Sequence, residues 1–211
     1  MEKPNRSFYA VSGLQLARKI LGLYLVHITD HGRLIGRIVE TEAYMGAQDK
    51  AAHSFNNRRT KRTEVMFGPP GHAYIYLIYG MYHCMNIVAA ETGMPHAVLI
   101  RALEPVEGIT KMAELRYQKN LSDCSKREVL GLTNGPGKLC QAMNINKLNN
   151  GQDLCNSNLF LLKAETTLKD DEIVTSTRIN IAYAEEAIHF PYRFYINSSP
   201  YVSVRDRKQK A

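Results

Sequence analysis

Cysteine is scarce in this sequence, and long apolar runs are absent from it. The four cysteines among the 211 residues form no CxxC pair, and their spacing fits no zinc ribbon. No apolar run approaches the length that crosses a bilayer, and the first seven residues contain no apolar segment typical of a signal peptide. We therefore expect reduced thiols, no membrane-spanning segment and a cytoplasmic location.

Acidic residues are fewer than basic ones. With 27 Lys and Arg against 20 Asp and Glu, the formal net charge is +7. Such an excess favours polyanionic partners, either nucleic acid or an anionic membrane surface. The apolar fraction of 45% and the charged fraction of 22% are those of a globular protein, and they exclude a disordered or fibrous chain.

The order of apolar segments predicts the fold class. The chain has no internal repeat or long linker, so we expect one domain over residues 1–211 with flexible ends at 1–6 and 205–211. Strand-like runs do not alternate regularly with helical ones, which favours an α+β fold with a mixed sheet over a doubly wound one. The predicted strands are 33–44, 74–79, 82–90, 97–103, 159–163, 179–182 and 193–196, and the predicted helices are 14–23, 106–118 and 138–144.

Two carboxylates and a tyrosine share one face of the predicted strand 33–44. Alternation along a strand places Glu40, Glu42 and Tyr44 on the same side. The pattern fits a solvated strand edge, and it also fits a general base beside an aromatic wall and an orienting arginine. Arg101 lies within an apolar run and needs a carboxylate or a ligand, so Glu40 or Glu42 is its candidate partner across the sheet.

Polar residues that follow this strand offer two further kinds of site. Asp49 and His53 are four residues apart and, with Glu42, supply ligand types that metals use, although no second histidine stands at a recognised spacing. A hydrogen-bonding or packing role for His53 is an equal alternative. The segment 58–62 carries four cations in five residues, which indicates either a solvated loop or a phosphate-contacting one.

Large apolar side chains surround the predicted hairpin turn. Gly80 suits the positive φ of the turn, and Tyr79 and Met81 flank it. Exposed apolar wedges on a basic protein are typical of side chains that insert between DNA base steps. Asn86 is a poor strand former and needs hydrogen-bond partners if it is buried, so it is a candidate for contact with a ligand edge.

Taken together, these motifs resemble the alkyladenine (3-methyladenine or N-methylpurine) DNA glycosylases. The resemblance runs from about Leu14 to Arg207, and six dense stretches occur in the family's order. It implies one mixed α/β domain with a curved, mainly antiparallel sheet, flanking helices and a protruding DNA-intercalating hairpin. This chain departs from some relatives in having Tyr201 where they carry tryptophan. The six stretches are Arg37–Tyr44, Ala51–Ser54, Tyr79–Asn86, Leu99–Pro105, Asn134–Ala142 and Ser199–Arg207.

The resemblance also implies roles for individual residues. Glu42 falls on the general base that activates water, and Arg101 with the backbone carbonyl of Ile179 falls on the groups that hold this water. The ring stack around a flipped base falls on Tyr44, His53 and Tyr76.

Further positions correspond to contacts with the base edge and with DNA. Asn86 falls on the residue that crowds the 2-amino group of guanine. Tyr79 falls on the hairpin-tip ring that fills the vacated space, with Met81 nearby. The positions similar to phosphate-contacting ones in the family are Arg58, Arg62 and Lys138.

The implied activity is base-excision repair. A damaged purine of the 3-methyladenine, 7-methylguanine, hypoxanthine or ethenoadenine class is released from duplex DNA by hydrolysis of its N-glycosidic bond. The implied enzyme is a monofunctional monomer without cofactor, metal or membrane partner, and it lies near the nucleoid if the source is a bacterium. Two alternatives remain open from the residues: a non-catalytic module that stacks unpaired bases on its tyrosines, and a metal-dependent hydrolase that uses Glu42, Asp49 and His53.

Overall fold

A computed structural model describes residues 2–206, and an antiparallel sheet of eight strands organises this part of the chain. The strands are β1 (Tyr24–Thr29), β2 (Gly32–Tyr44), β3 (Ala73–Ile78), β4 (Tyr82–Ala89), β5 (His96–Glu107), β6 (Leu159–Leu162), β7 (Ile173–Ser176) and β8 (Arg193–Ile196). The order across the sheet is β3-β4-β5-β2-β1-β6, and β8 pairs with both β2 and β7. The predicted α+β fold with a curved antiparallel sheet is confirmed.

Short helices cover the sheet. Two of them enclose the main apolar core, since α2 (Gly13–Lys19) packs against β2 and β5, and α5 (Pro136–Ala142) packs against β4 and β5. The Ser12 hydroxyl and the Gln15 side chain form a capping box that begins α2. None of the described helices is long and apolar enough to span a membrane. The helices are α1 (Arg6–Tyr9), α2 (Gly13–Lys19), α3 (Ile109–Tyr117), α4 (Lys126–Leu130) and α5 (Pro136–Ala142).

The long strand β2 is where the sheet divides. Its first half pairs with β1, its second half pairs with β8, and β5 runs along its other edge. The β2–β5 ladder has irregularities at Ile35/Gly36 and around Glu40. Bulges bend a strand and increase its twist, so the sheet curls at the place where Glu40 and Glu42 lie.

The β3–β4 hairpin protrudes with a tight turn at its tip. Tyr79 and Gly80 both have positive φ, at 53° and 70°, and the Met81 N–H donates to the Ile78 carbonyl at 3.2 Å. Two positive φ values at the central positions define a type I′ turn, whose twist matches the flanking strands. The predicted hairpin is therefore present, and a tyrosine as well as the glycine takes the left-handed conformation.

Several predicted boundaries are wrong, and the helix predicted over 14–23 ends at Lys19. The strand predicted to end at Leu103 continues to Glu107, and the helix begins at Ile109 because Gly108, with φ of 76°, breaks the strand. The segment 179–182 is not a strand, because the Ile179 N–H donates to a side-chain carboxylate and Asn180 has a φ of 59°. The strand of this region is β7, which was not predicted.

Residues at both described ends make contacts within the fold, and the expectation of flexible ends stays a prediction. Asn5 caps α1, and the Arg6 guanidinium binds the Asp153 carboxylate at 2.5 Å. The Arg205 guanidinium donates to the Asn197 carbonyl at 2.6 Å, and Asp206 binds Arg193 at 3.0 Å. The remaining end residues, 1 and 207–211, lie outside the described residues.

Replacement of Gly71 by alanine is expected to destabilise the fold more than replacement of Gly93. Both have positive φ, but a Cβ at Gly71 would lie 2.7 Å from the buried Tyr9 ring, while a Cβ at Gly93 meets nothing within 4 Å. The left-handed conformation alone costs alanine about 1–2 kcal/mol, and crowding adds about 1–3 kcal/mol. Urea unfolding of Gly71→Ala and Gly93→Ala measures the difference. Equal destabilisation of the two variants would show that Tyr9 yields freely.

Candidate active site

Arg101 on β5 lies between the two carboxylates of β2. Its Nε is 3.1 Å from Glu40 Oε1, and its Nη1 is 3.2 Å from Glu42 Oε1. Both glutamates are fully buried, and Arg101 is 7% exposed. Burial by itself lowers the pKa of Arg101, but the Glu42 and Glu40 carboxylates outweigh it and raise the pKa overall. Arg101 thus has both predicted partners, and the solvated-edge interpretation is wrong.

Glu42 accepts two hydrogen bonds in addition to its ion pair with Arg101. Besides Arg101, the Ile179 N–H donates to Oε1 at 2.8 Å, and the Tyr44 hydroxyl donates to Oε2 at 2.8 Å. Burial and the Glu42 carboxylate raise the pKa of Tyr44, so its phenol keeps the proton that it donates. Donors of this kind stabilise a charged carboxylate away from water.

A second buried ion pair holds two of these groups in place. The Arg178 guanidinium binds the Asp49 carboxylate at 2.5 and 2.8 Å and donates to the Ala43 carbonyl at 2.9 Å. It also lies 4.9 Å from the centre of the Tyr44 ring. Because Arg178 directly precedes Ile179, the pair anchors the backbone that reaches Glu42.

The metal site suggested by Glu42, Asp49 and His53 does not form. Asp49 is occupied by Arg178, and residues 49–53 run through turns rather than along one helix face. Within residues 2–206 no group of three or more His, Cys, Asp or Glu side chains converges to hold a metal ion.

An open cleft of about 840 Å³ lies above Glu42. Its lining includes Tyr44, Arg101 and Ile179, which are the three groups that contact the Glu42 carboxylate. Its wall carries His53 and Tyr76, whose ring centres are 4.6 Å apart and nearly perpendicular. The cleft therefore has aromatic walls, and the buried Glu42 carboxylate lies directly behind its lining.

Asn86 lies beside the cleft rather than in it. It is 3% exposed, and its Nδ2 donates to the Tyr74 carbonyl at 3.1 Å. It lines a small void of about 30 Å³ that His53, Tyr44 and Tyr76 also border. The predicted contact of Asn86 with a ligand edge remains a prediction, but its amide lies against the aromatic wall.

His53 is neutral at the wall of the cleft. Burial and the nearby Arg62 and Arg58 guanidinium groups lower its pKa from 6.5 to about 4. Its Nδ1 is 2.9 Å from the Tyr74 hydroxyl, and Arg62 lies 4.9 Å from the centre of the Tyr76 ring.

The rim of the cleft is basic and apolar. Tyr79 is 74% exposed and Met81 is 64% exposed at the hairpin tip. Arg59 is bound to Glu64, whereas Arg58 and Arg62 line the cleft without an ion-pair partner among residues 2–206. The opposite side of the cleft includes Gly137, which directly precedes Lys138. Burial and the nearby Arg116 guanidinium lower the pKa of the Lys138 amine.

Comparison with known proteins identifies the family. The model of the methylpurine-DNA glycosylase family matches residues 7–200. A protein of Alkaliphilus oremlandii is 56% identical over 95% of this chain and 98% of its own, and one of Desulfitobacterium hafniense is 50% identical over 97% and 100%. A protein of Bacillus cytotoxicus is 51% identical over 93% and 97%. All three are provisionally named 3-methyladenine DNA glycosylase. The chain belongs to the methylpurine-DNA glycosylase family.

The structure brings most of the predicted residues of this DNA glycosylase together. Glu42 lies beneath the cleft floor, Asn86 beside the wall, and Met81 and Lys138 next to residues of the rim. The residues that line the cleft are Tyr44, His53, Arg58, Arg62, Tyr76, Tyr79, Arg101 and Ile179.

The buried side chains that support these residues, without lining the cleft, were not predicted from the sequence. Arg178 is buried and pairs with Asp49, which is 129 residues away, and the buried Arg193 pairs with Glu40, which is 153 residues away, as well as with Asp206. Arg193 begins the predicted strand 193–196 and Arg178 lies outside any predicted strand or helix, but in neither case does a local pattern indicate the partner. Ser203 lies in a stretch that carries the family resemblance, but the residues suggest no role for it.

The titration midpoint of His53 is expected near pH 4 in the parent protein. It is expected to rise in Arg62→Gln, because that variant removes one of the two cations that oppose protonation of the ring. A ring with a lowered pKa is neutral in the folded protein. Its protonation in the unfolded chain therefore makes stability fall as the pH drops from 6.5 towards 4. NMR titration measures the midpoint. Arg59→Gln is the matched control, since Arg59 is bound to Glu64 and should leave the midpoint unchanged. A midpoint near 6.5 in the parent protein would contradict this electrostatic account.

Proposed function

We propose that this protein is a monofunctional glycosylase that excises alkylated or deaminated purines from duplex DNA. The class includes 3-methyladenine, 7-methylguanine, hypoxanthine and ethenoadenine. The observation that carries the proposal is the buried Glu42 carboxylate, bound by Arg101, Tyr44 and Ile179, directly beneath a cleft with aromatic walls.

In the proposed reaction Glu42 acts as the general base. It takes a proton from a water that attacks C1′ of the deoxyribose while the purine leaves. The sugar develops positive charge in the transition state, and an ionised carboxylate beneath it stabilises that charge. Arg101 lines the cleft 3.2 Å from Glu42 and can hold the same water, together with the carbonyl of Ile179.

Access of water to Glu42 requires a change at Tyr44. The carboxylate has no exposed surface, and the Tyr44 hydroxyl occupies Oε2. We infer that the entering nucleotide displaces this hydroxyl and frees Oε2 for the water. Catalytic hydrogen bonds often form fully only in the substrate complex.

The cleft suits a purine made cationic by alkylation. Electron-rich phenol rings at Tyr44 and Tyr76 attract a cation by about 0.5–2 kcal/mol per ring. His53 is neutral at pH 7, so it can stack without repelling the base. We expect Asn86, whose amide donates to the Tyr74 carbonyl beside the cleft, to crowd the 2-amino group of guanine.

The rim suits duplex DNA. The exposed Tyr79 at the hairpin tip can fill the space that a flipped nucleotide leaves, with Met81 beside it. We expect Arg58 and Arg62 in the cleft lining, and Lys138 next to it, to bind phosphates. The net charge of +7 adds affinity that is independent of sequence.

The two alternative functions leave features of the site unexplained. A module that only stacks unpaired bases has no need of a buried carboxylate held by three partners, since such burial is costly. A metal-dependent hydrolase would need Asp49 as a ligand, but Arg178 occupies its carboxylate.

Replacement of Glu42 by glutamine is expected to lower the rate of base release by about 10²–10⁴-fold, because the variant has no general base. Binding to duplex DNA that contains an abasic analogue should persist. Chromatography of free purine from alkylated and hypoxanthine-containing duplexes measures release. Glu104→Gln is the matched control, since Glu104 pairs with Arg37 on the same two strands away from the cleft. Parental rates in Glu42→Gln would refute the assignment, and a parent that binds single strands but frees no purine would favour the stacking module.

Replacement of Arg58 or Arg62 by glutamine is expected to reduce the salt dependence of DNA binding. The slope of log K against log salt concentration falls by about one for each phosphate that the protein no longer binds. Arg59→Gln removes the same charge from the same loop but should change the slope little, because Arg59 is bound to Glu64. Fluorescence anisotropy over a salt series measures the slopes. Equal slopes for all three variants would exclude a specific phosphate contact at Arg58 or Arg62.

A further inference from the structure

Glu40, the second carboxylate beside Arg101, is buried but is absent from the lining of the cleft. Its Oε1 accepts hydrogen bonds from Arg101 Nε at 3.1 Å, Arg193 Nη1 at 3.1 Å and the Ser203 hydroxyl at 3.0 Å. Its Oε2 accepts from the Ser203 N–H at 2.6 Å. Glu40 therefore has no direct access to a substrate and is saturated by protein donors.

Ser203 belongs to a segment that follows the last strand and has no regular secondary structure, residues 199–206. This C-terminal segment lies on the back of the active site. Besides the bonds of Ser203 to Glu40, Arg193 donates to the Val204 carbonyl at 2.8 Å and binds Asp206 at 3.0 Å. The segment is thus attached through Glu40, which binds Arg101, and through Arg193, which binds the same Glu40 oxygen.

We propose that Glu40 is a positioning residue for Arg101, and that Ser203 of the C-terminal segment completes this arrangement. The proposal rests on the function proposed above. The three nitrogens of the Arg101 guanidinium have separate partners: Nε contacts Glu40, Nη2 contacts the Ser203 hydroxyl at 3.4 Å, and Nη1 contacts Glu42. Because a guanidinium is planar, fixing Nε and Nη2 fixes the direction of Nη1.

The charges favour a positional role over a purely stabilising one. Glu40 and Glu42 balance Arg101 and Arg193 in the buried interior. Apolar side chains of similar size hold strands together as well as a buried ion network does, so such a network is weak evidence for stability. Because Glu40 also pairs with Arg101, the guanidinium stays charged and directed at Glu42. The Glu42 carboxylate then does not have to balance the charge of Arg101 alone.

The test compares Glu40→Gln and Ser203→Ala with the parent protein. Glutamine keeps the shape of Glu40, but its amide places a donor against either Arg101 or the Ser203 N–H. Single-turnover base release, divided by the active fraction titrated with abasic-analogue DNA, is expected to fall about 10–100-fold in Glu40→Gln, as it does for residues that orient catalytic groups. The release rate should fall less in Ser203→Ala, and Ser203→Thr should keep the parental rate. The affinity for the abasic DNA should be unchanged.

A spectroscopic readout separates positioning from a general decrease in stability. The Arg101 Nε–H should exchange slowly with solvent in the parent and faster in Glu40→Gln and Ser203→Ala. Glu104→Gln, which removes a carboxylate from the outer Arg37 pair, should change neither release nor exchange.

Parental release rates per active molecule in both Glu40→Gln and Ser203→Ala would overturn the proposal, as would a lowered melting temperature without faster Arg101 exchange. If the parent itself releases no purine, the proposed function fails. The exchange measurement then still decides whether Glu40 and Ser203 hold Arg101.

Discussion

The guanidinium of Arg101 lies between two fully buried carboxylates, and the arrangement of the cleft depends on this contact. Arg101 on β5 forms ion pairs with both Glu40 and Glu42 on the neighbouring strand β2. Two like charges two residues apart on one strand repel each other, and burial strengthens the repulsion. Arg101 and Arg193 offset it, so the strand can carry an ionised carboxylate directly under a cleft with aromatic walls.

The curl of the sheet makes this contact possible. Irregular pairing around Glu40 bends β2 where β1 ends its pairing and β8 begins its own. Beyond the bend, the segment that contains Arg178 and Ile179 reaches the Glu42 carboxylate through a backbone N–H. The Asp49–Arg178 pair then fixes that segment against Tyr44. Three distant parts of the chain therefore meet at one carboxylate, and each is held by a buried ion pair or a backbone hydrogen bond.

Local patterns were sufficient for the strands that carry the site. Alternation placed Glu40, Glu42 and Tyr44 on one face, and the lone arginine in an apolar run indicated Arg101 as their partner. The same reasoning failed at 179–182, because the Ile179 N–H is used by a carboxylate 137 residues away and not by a neighbouring strand. Arg178 stayed unrecognised for a similar reason, since its partner Asp49 is 129 residues distant. The expected role of Ile179 came from the family resemblance alone, since no composition or spacing indicates it, whereas Asn86 was also indicated by its amide within a predicted strand.

The most direct test of the account is a crystal structure with duplex DNA that contains a 2′-fluoro hypoxanthine nucleoside, whose fluorine slows glycosidic cleavage. We expect the purine outside the helix against Tyr44, His53 and Tyr76, the Tyr79 ring in the gap, and one water between Glu42 and C1′. A purine that stays stacked in the duplex, or a Glu42 carboxylate that remains closed off from C1′ by Tyr44, would contradict it.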